Sequence, residues 1–575
     1  VNGRSLFFLG LVGLGALAGV ETLEQRGPAV RRVVLVATTE IRARVRRCGC
    51  QGDKGPEIKV KVIAPCSCKG QSNMVGDIAL PDVGAFPERS AWLEDRRATL
   101  GSALYLDSGD LLFPRPSAQP WEVAEWRRRA DLLVDGSGLL GLSAYTVGER
   151  DLALGRKPLE AILARAPFKV LSANLVDATT RQPVFASHAT FLENGVTVGV
   201  VGIFDPPSSK ETTAALARAE LVATDPVAAT RAAVAALRAE HADVIVLLAH
   251  QAAEASRALV REVGDVDVVI GSHSEVPSAE ATAFGGATAF LCPLPGGGTP
   301  VLAKLDYTAG ARGVADADLI VATEYRLEAL SKQQREQRAE REATADPERR
   351  RYLDQQIAHV EKVIAEAAAL LPQEPHHRLS VHVVVLDGRS WKKGQSAKLN
   401  EAIERFKDDL QGMKLDPELL ARLEAPAKLE SGHQGAFVTA ATCVTCHVKQ
   451  AEVWKSSLHA NAWQSLVKKG NEKDPECVRC HSLGFREPGG YAEVTRVQRP
   501  DYPGSPTSFD FRNVQCESCH GPRADHPREK GVGIHIPTTA ECQRCHDAEH
   551  DPTFASGRYA KIIGTALSPC IRGAP

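Results

Sequence analysis

The chain has 575 residues, 43% hydrophobic and 24% charged, enough for several globular units. Lys and Arg number 69 against 71 Asp and Glu, a net charge of −2 that leaves no electrostatic footprint for nucleic acid. A mean hydropathy of −0.17 excludes a many-span membrane protein.

Residues 1–18 read as an export signal. Arg4 supplies the positive start, Leu6–Ala18 the apolar run, and Ala16-Leu17-Ala18 the small residues of a cleavage site. This predicts a periplasmic or extracellular location. The alternative is an uncleaved N-terminus that associates with the membrane. No Cys lies near residue 19, which argues against a lipid anchor.

From residue 30 to 324 apolar runs alternate with helical patterns, the signature of an α/β layered domain. Strands are expected at Val33–Val36, Ala103–Leu106, Phe168–Ser172, Val196–Ile203, Ala242–Leu248 and Val266–Ile270. Helices are expected at Thr213–Val222 and Ala228–Ala239. Polar residues follow most of these strands: Asp110, Asn174, Asp205, His250 and His273. Open α/β sheets place their sites there, although a single polar residue after a strand is often only a helix cap. Two further pairs, Cys48/Cys50 and Cys66/Cys68, fit a four-cysteine metal site or two disulfides. Cys292 and Cys570 remain for a separate pairing.

Residues 325–430 form a connector. Its charged, Ala-rich start predicts two helices broken near Ala345-Asp346-Pro347. A strand over Val381–Leu386 and helices over Ala397–Leu410 and Pro417–Leu423 follow. The charge run reads as a solvated face.

Residues 431–575 carry the motif C-x-x-C-H four times: Cys443-Cys446-His447, Cys477-Cys480-His481, Cys516-Cys519-His520 and Cys542-Cys545-His546. Two thiols three residues apart add to the two vinyl groups of one porphyrin, and the next His ligates its iron. Zinc ribbons and disulfides do not require that His. Four covalent haem c groups are predicted, in a mostly irregular and α-helical domain whose interior is largely porphyrin. Both methionines, Met74 and Met413, lie outside it, so bis-histidine ligation is expected. The histidines left for distal positions are His433, His459, His526, His535 and His550.

The haem segment resembles the tetrahaem domain of the cytochrome c554 family. The likeness rests on Cys443–His447 followed by Trp454-Lys-Ser-Ser-Leu-His459, on Cys516–His520 with Gly521-Pro522 and His526, and on Asp551-Pro-Thr-Phe554 after the last motif. It implies His459 and His526 as distal ligands. The family's later His, which follows an isoleucine, has no counterpart in Tyr559–Gly564. The resemblance therefore leaves one haem five-coordinate or served by His550, His535 or His433.

Residues 30–310 resemble the 5′-nucleotidase-like branch of calcineurin-type metallophosphoesterases, in which strand ends hold two metals. Asp110, His250 and His273 match ligand stations of that family, and a divalent metal in the N-terminal domain is implied. Three stations depart from the pattern. The first-strand Asp-x-His is replaced by Val36-Ala-Thr-Thr-Glu40. The Asn-His station is Glu149-Arg150, and the last His is Glu275. Glu40, Glu149 and Glu275 offer ligands for a different metal. The expectation is an exported electron carrier with redox protein partners and a catalytically silent phosphoesterase-like domain. Its alternatives are a metal-dependent nucleotidase tied to a redox module and a small-molecule oxidoreductase with an open haem.

Overall fold

The computed structural model describes residues 31–43, 45, 58–63, 74–80, 86–207, 209–273, 278–280, 288–293, 295–296, 298–369, 371, 375–384, 386, 396–428, 434–499, 509–522, 526 and 537–546. Strand β1 (Arg32–Thr38) is apolar on both faces and buried throughout after its first residue. A hairpin, β2 (Ile58–Ile63) and β3 (Met74–Leu80), stands apart as a two-stranded sheet. Then come α1 (Phe86–Leu100), β4 (Leu104–Asp107), α2 (Val123–Leu139), β5 (Leu142–Thr146), α3 (Arg156–Leu163) and β6 (Lys169–Leu171). β1 pairs in parallel with β4, β4 with β5, and β5 with β6.

The second half of the α/β region runs β7 (Leu175–Asp177), β8 (His188–Glu193), β9 (Val196–Phe204), α4 (Lys210–Arg218), β10 (Leu221–Ala223), α5 (Pro226–Ala239), β11 (Val244–His250), α6 (Ala253–Val263), β12 (Val268–Gly271), β13 (Ser278–Glu280), β14 (Ala289–Cys292), β15 (Val301–Asp306) and β16 (Val314–Asp316). A six-stranded sheet orders these as β13-β14-β12-β11-β9-β8. The helix expected over Thr213–Val222 lies earlier in the chain, starting at Lys210 behind the Ser209 cap. It ends at Arg218, Glu220 turns left-handed at φ 55°, and Leu221 starts a strand.

The two sheets face each other. Val33, Leu35 and Ala37 pack against Val198, Val200, Val244, Val246 and Leu248 in one buried cluster. Alternate residues Val34 and Val36 face the helices on the other side, and Ile245, Leu247 and Ala249 do the same in the second sheet. The period of two therefore places both sheets in the interior, giving four layers, α/β/β/α.

The connector is partly built into this body. Helices α7 (Ala317–Ala343) and α8 (Pro347–Ala368) form the expected pair, broken where Asp346, just before Pro347, caps α8 by accepting from the Glu348 N–H. Strand β17 (His377–Val383) begins and ends earlier than expected. It lies between β15 and β16, completing the seven-stranded order β16-β17-β15-β1-β4-β5-β6. Helix α9 (Ala397–Gly412) buries Leu399, Ile403, Phe406 and Leu410 in the cluster that holds Phe86 and Trp126. Helix α10 (Pro417–Glu424) and a short ladder, β18 (Ala427–Lys428) with β19 (Gln434–Gly435), lead out of it.

The last segment has α11 (Thr439–Cys443), α12 (Val448–Lys455), α13 (Ala462–Val467), α14 (Pro475–His481), the bridge of β20 (Gln498–Arg499) with β21 (Phe509–Asp510), α15 (Cys516–His520) and α16 (Thr539–Gln543). Among the described residues no helix is long and apolar enough to cross a membrane.

Leu35 is fully buried between the two sheets. Leu35→Ala should cost about 3 kcal/mol through lost burial and a residual cavity, read as a lower urea midpoint of the α/β domain with an unchanged Soret band.

Candidate functional site

The strand ends of both sheets meet at one place. Glu40 follows β1, Asp110 follows β4, Glu149 follows β5, His250 ends β11 and His273 follows β12. Nε2 of His250 lies 2.6 Å from Glu149 Oε2 and 3.6 Å from Asp110 Oδ1. His273 meets the His250 ring edge-on, with centroids 4.6 Å apart, and its Nε2 is 3.7 Å from Glu149. Glu40 accepts from the His273 backbone N–H at 2.6 Å and pairs with Arg42.

Backbone strain gathers here. Glu40, Arg42, Ala43, Asp110 and His273 are all left-handed non-glycine residues, with φ of 46°, 52°, 60°, 59° and 52°. Such residues persist only where surrounding contacts over-determine them. Gly148 is required for a separate reason. A Cβ there would lie 2.2 Å from Asp110 Oδ1 and 2.7 Å from His250 Cε1. Asp151, fully buried, accepts from the backbone N–H groups of Asp110, Leu112 and Gly148 at 2.9–3.0 Å and so fixes the loops around the site.

The electrostatics follow from crowding. Burial and the neighbouring Glu149 push the Asp110 carboxyl well above its ordinary pKa. Burial also disfavours the Glu149 carboxylate, but His250 and His273 outweigh it and leave its pKa low. Burial opposes the His250 imidazolium, and Asp110 and Glu149 outweigh it in turn, so its pKa is raised. His273 is lowered by burial and by His250.

Two cations occupy the rest of the site. Arg150 Nε is 3.0 Å from Asp110 Oδ2, its backbone N–H donates to Asp110 Oδ1 at 2.8 Å, and its guanidinium also bonds the Pro114 carbonyl. Arg42 stands beside Glu40. A pair of metal ions does not fit this donor set, because two guanidiniums stand against the carboxylates that would share them. One ion does fit. Glu149, His250 and His273 each offer a ligand atom within 4.8 Å of the others. The Ser108 carbonyl can only accept, so the 2.7 Å contact places the proton of His250 on Nδ1. That leaves Nε2 toward Glu149, an arrangement common for metal-bound imidazoles. Without an ion, the 2.6 Å approach of Nε2 to the carboxylate requires a second proton on the ring.

Glu149, expected only as one of three spare carboxylates, thus takes the place beside His250 and His273, while Asp110 is drawn to Arg150. Asn174 serves the fold: its amide donates to the Phe204 carbonyl and accepts from the Phe204 N–H, both at 2.8 Å. Arg42 and Asp151 were missed. A cation two residues after Glu40 was visible in the sequence, but its return onto that carboxylate depends on the left-handed turn. Cys48, Cys50, Cys66, Cys68, Glu275 and Cys570 lie outside the described residues.

In the C-terminal segment, helical turns put the two thiols of α14 and of α15 on one face, three residues apart. His526 stacks opposite His447 at 6.3 Å between centroids and 19° between planes. His459 lies 6.1 Å from His546. Each pair thus brings two imidazoles to about 6 Å between ring centroids. Nδ1 of His481 donates to the Ala462 carbonyl at 2.8 Å, which places the neutral ring's proton on Nδ1 and leaves Nε2 as its acceptor nitrogen. The thiol of Cys443 reaches Cys516, and that of Cys545 reaches Cys480. The first motif therefore adjoins the third, and the second adjoins the fourth. His433, His535 and His550 lie outside the described residues.

Comparison with known proteins divides the chain in the same way. The family described as cytochrome c554 and c-prime matches residues 442–521. Cytochrome c-554 of Nitrosomonas europaea is 37% identical over 141 residues, covering 18% of this chain and 54% of that protein. A 2′,3′-cyclic-nucleotide 2′-phosphodiesterase/3′-nucleotidase of Haemophilus influenzae is 24% identical over 212 residues, covering 34% of this chain and 32% of its own length. A 5′-nucleotidase of Diplobatis ommata is 29% identical over 188 residues, covering 32% and 31%. The chain thus spans about half the length of the cytochrome and about a third of the nucleotidases. It joins a C-terminal cytochrome c554-like domain to an N-terminal domain similar to 5′-nucleotidases and related metallophosphoesterases.

Proposed function

We propose that the protein is an exported multihaem c-type cytochrome that carries electrons between redox proteins, with its α/β domain as scaffold and docking surface. The observation that carries this reading is the approach of two histidine pairs, His447 with His526 and His459 with His546, beside C-x-x-C-H motifs. When bound, the haems supply the one-electron ferric/ferrous couple. The chain's residues do the rest. Eight cysteines, Cys443, Cys446, Cys477, Cys480, Cys516, Cys519, Cys542 and Cys545, anchor four porphyrins. His447, His481, His520 and His546 are the proximal ligands, and His526 and His459 complete the first and fourth sites. Adjacent attachment thiols bring the haems close enough to exchange electrons within one small domain.

The test is direct. Denaturing mass spectrometry of the mature protein should show four haems, each held by two thioether bonds. His459→Ala and His526→Ala should each turn one haem high-spin in the EPR spectrum while all four remain attached. Unchanged low-spin spectra in both variants would reject the ligand assignment.

For the N-terminal domain we propose a single-cation site at Glu149, His250 and His273 with little or no phosphoesterase activity. Two-metal chemistry clamps the attacking and leaving oxygens from both sides. Arg42 and Arg150 supply charge there, but a guanidinium cannot acidify a bound water as a metal does. Calorimetry with Mn²⁺ or Zn²⁺ should give one ion per chain in the full-length protein and none in His250→Ala. A panel of nucleotides and model phosphoesters should show no metal-dependent turnover. Turnover that disappears in the His250 variant would instead establish a hydrolase.

A further inference from the structure

Helix α14, which carries Cys477, Cys480 and His481, is docked on helix α2 of the α/β domain by a buried charge cluster. Arg129 of α2 is the centre of it, with its side chain only 5% exposed. Its guanidinium lies 3.0 Å from Glu476, 3.3 Å from Asp474 and 3.3 Å from Glu125. Arg486 reaches back from the haem segment to Glu125 at 3.0 Å. Phe406 of α9 covers the Arg129 guanidinium at 5.4 Å, and Phe485 lies under Arg486 at 4.9 Å. Three carboxylates therefore face two guanidiniums, each with an aromatic ring against it, while Asp474 and Glu476 keep 22% and 33% of their side chains exposed.

Glu476 is the residue immediately before Cys477. Charge in this cluster reaches the attachment site: burial, Asp474 and Glu476 push the Cys477 thiol pKa up, and Arg129 opposes them. No residue of this cluster adjoins any of the other three motifs in the sequence.

We propose that the Glu125–Arg129–Asp474–Glu476–Arg486 cluster sets the reduction potential of the haem held by Cys477, Cys480 and His481, making the α/β domain part of that haem's electrostatic environment. The proposal rests on the haem reading above. Oxidation of the iron adds one positive charge to the site, so nearby negative charge favours the ferric form and lowers the potential. With all groups ionised the cluster carries one excess negative charge. Removing the Arg129 cation deepens that excess, and neutralising Glu476 cancels it. Arg129 and Glu476 are thus positioning residues that act through the field, without touching the iron.

The experiment is a haem-resolved redox titration of the full-length holoprotein and three variants, Arg129→Gln, Glu476→Gln and Arg129→Lys. Arg129→Gln should shift one of the four potentials downward. Glu476→Gln should shift the same haem upward, and Arg129→Lys should leave it near the parent value. A cluster that only holds the domains together would loosen in both neutral variants, giving shifts of one sign or shifts spread over all four haems. Either result, or no shift, overturns the proposal. Where Arg129→Gln does not fold, Arg486→Gln takes its place with the same downward expectation. Denaturing mass spectrometry of the parent protein separates the two readings. Absence of a haem at Cys477 and Cys480 overturns the haem assignment itself, whereas four haems with unshifted potentials overturn only the electrostatic link.

Discussion

A charge taken out of water has to meet its counter-charge inside the protein, and two places in this chain are organised by that requirement. At the strand ends, two sheets bring Glu40, Asp110 and Glu149 into one crowded space, and Arg42, Arg150 and His250 answer them. At the domain junction, Arg129 is enclosed and gathers carboxylates from both sides. Withdrawing one partner from such a buried set typically costs about 3–5 kcal/mol, because the remaining charge is stranded. Ion pairs therefore tie α2 to α14. The same logic explains why the strand-end cluster keeps its shape: each ionic group there is held by a neighbour that would otherwise be unpaired.

What was legible in the sequence was whatever local chemistry dictates. β1 and β11 announce themselves because strands buried on both faces are apolar without alternation. The break between α7 and α8 is written in Asp346-Pro347, and the same Asp-Pro pair starts α5, α10 and α14. β17 was legible as a strand near its true place, but its insertion between β15 and β16 was not. Sheet membership is a long-range pairing that no local pattern encodes. Thr213–Val222 overran for the opposite reason: Ala- and Leu-rich sequence continues the helical pattern past the point where Glu220 turns the backbone. At the site, His250 and His273 were readable from their position after strands. Arg42 and Asp151 were not, since their roles depend on a turn and on three backbone N–H groups brought from separate loops.

The haem segment was readable for another reason, because covalent attachment fixes residue spacing more tightly than packing does. Its described apolar cluster is small, built around Phe437, Trp463, Tyr491 and Phe511, beside the two-sheet interior of the N-terminal region. A segment with so little apolar surface of its own needs cross-links. The opposed histidines act in that way under the haem reading. His447 near the start of the segment faces His526, and His546 near its end faces His459. Each iron would close a long loop, and long closures remove more chain entropy than short ones. Under that reading ligation and folding are one event in this domain, in contrast to the α/β domain.

That contrast bears on how a phosphoesterase-like site can change its chemistry without losing its fold. The loops around the site are held by groups independent of any ion: Asp151 accepts from three backbone N–H groups, and the Ser108 carbonyl accepts from His250 Nδ1. The strand ends therefore keep their place with Arg42 and Arg150 beside their carboxylates. What changes is the chemistry available. A guanidinium neutralises Asp110 and Glu40 as a cation would, yet it has no open coordination position and cannot lower the pKa of water. A scaffold that holds α2 rigid also holds Arg129 rigid, and Arg129 is where this domain meets the segment that carries the second C-x-x-C-H motif.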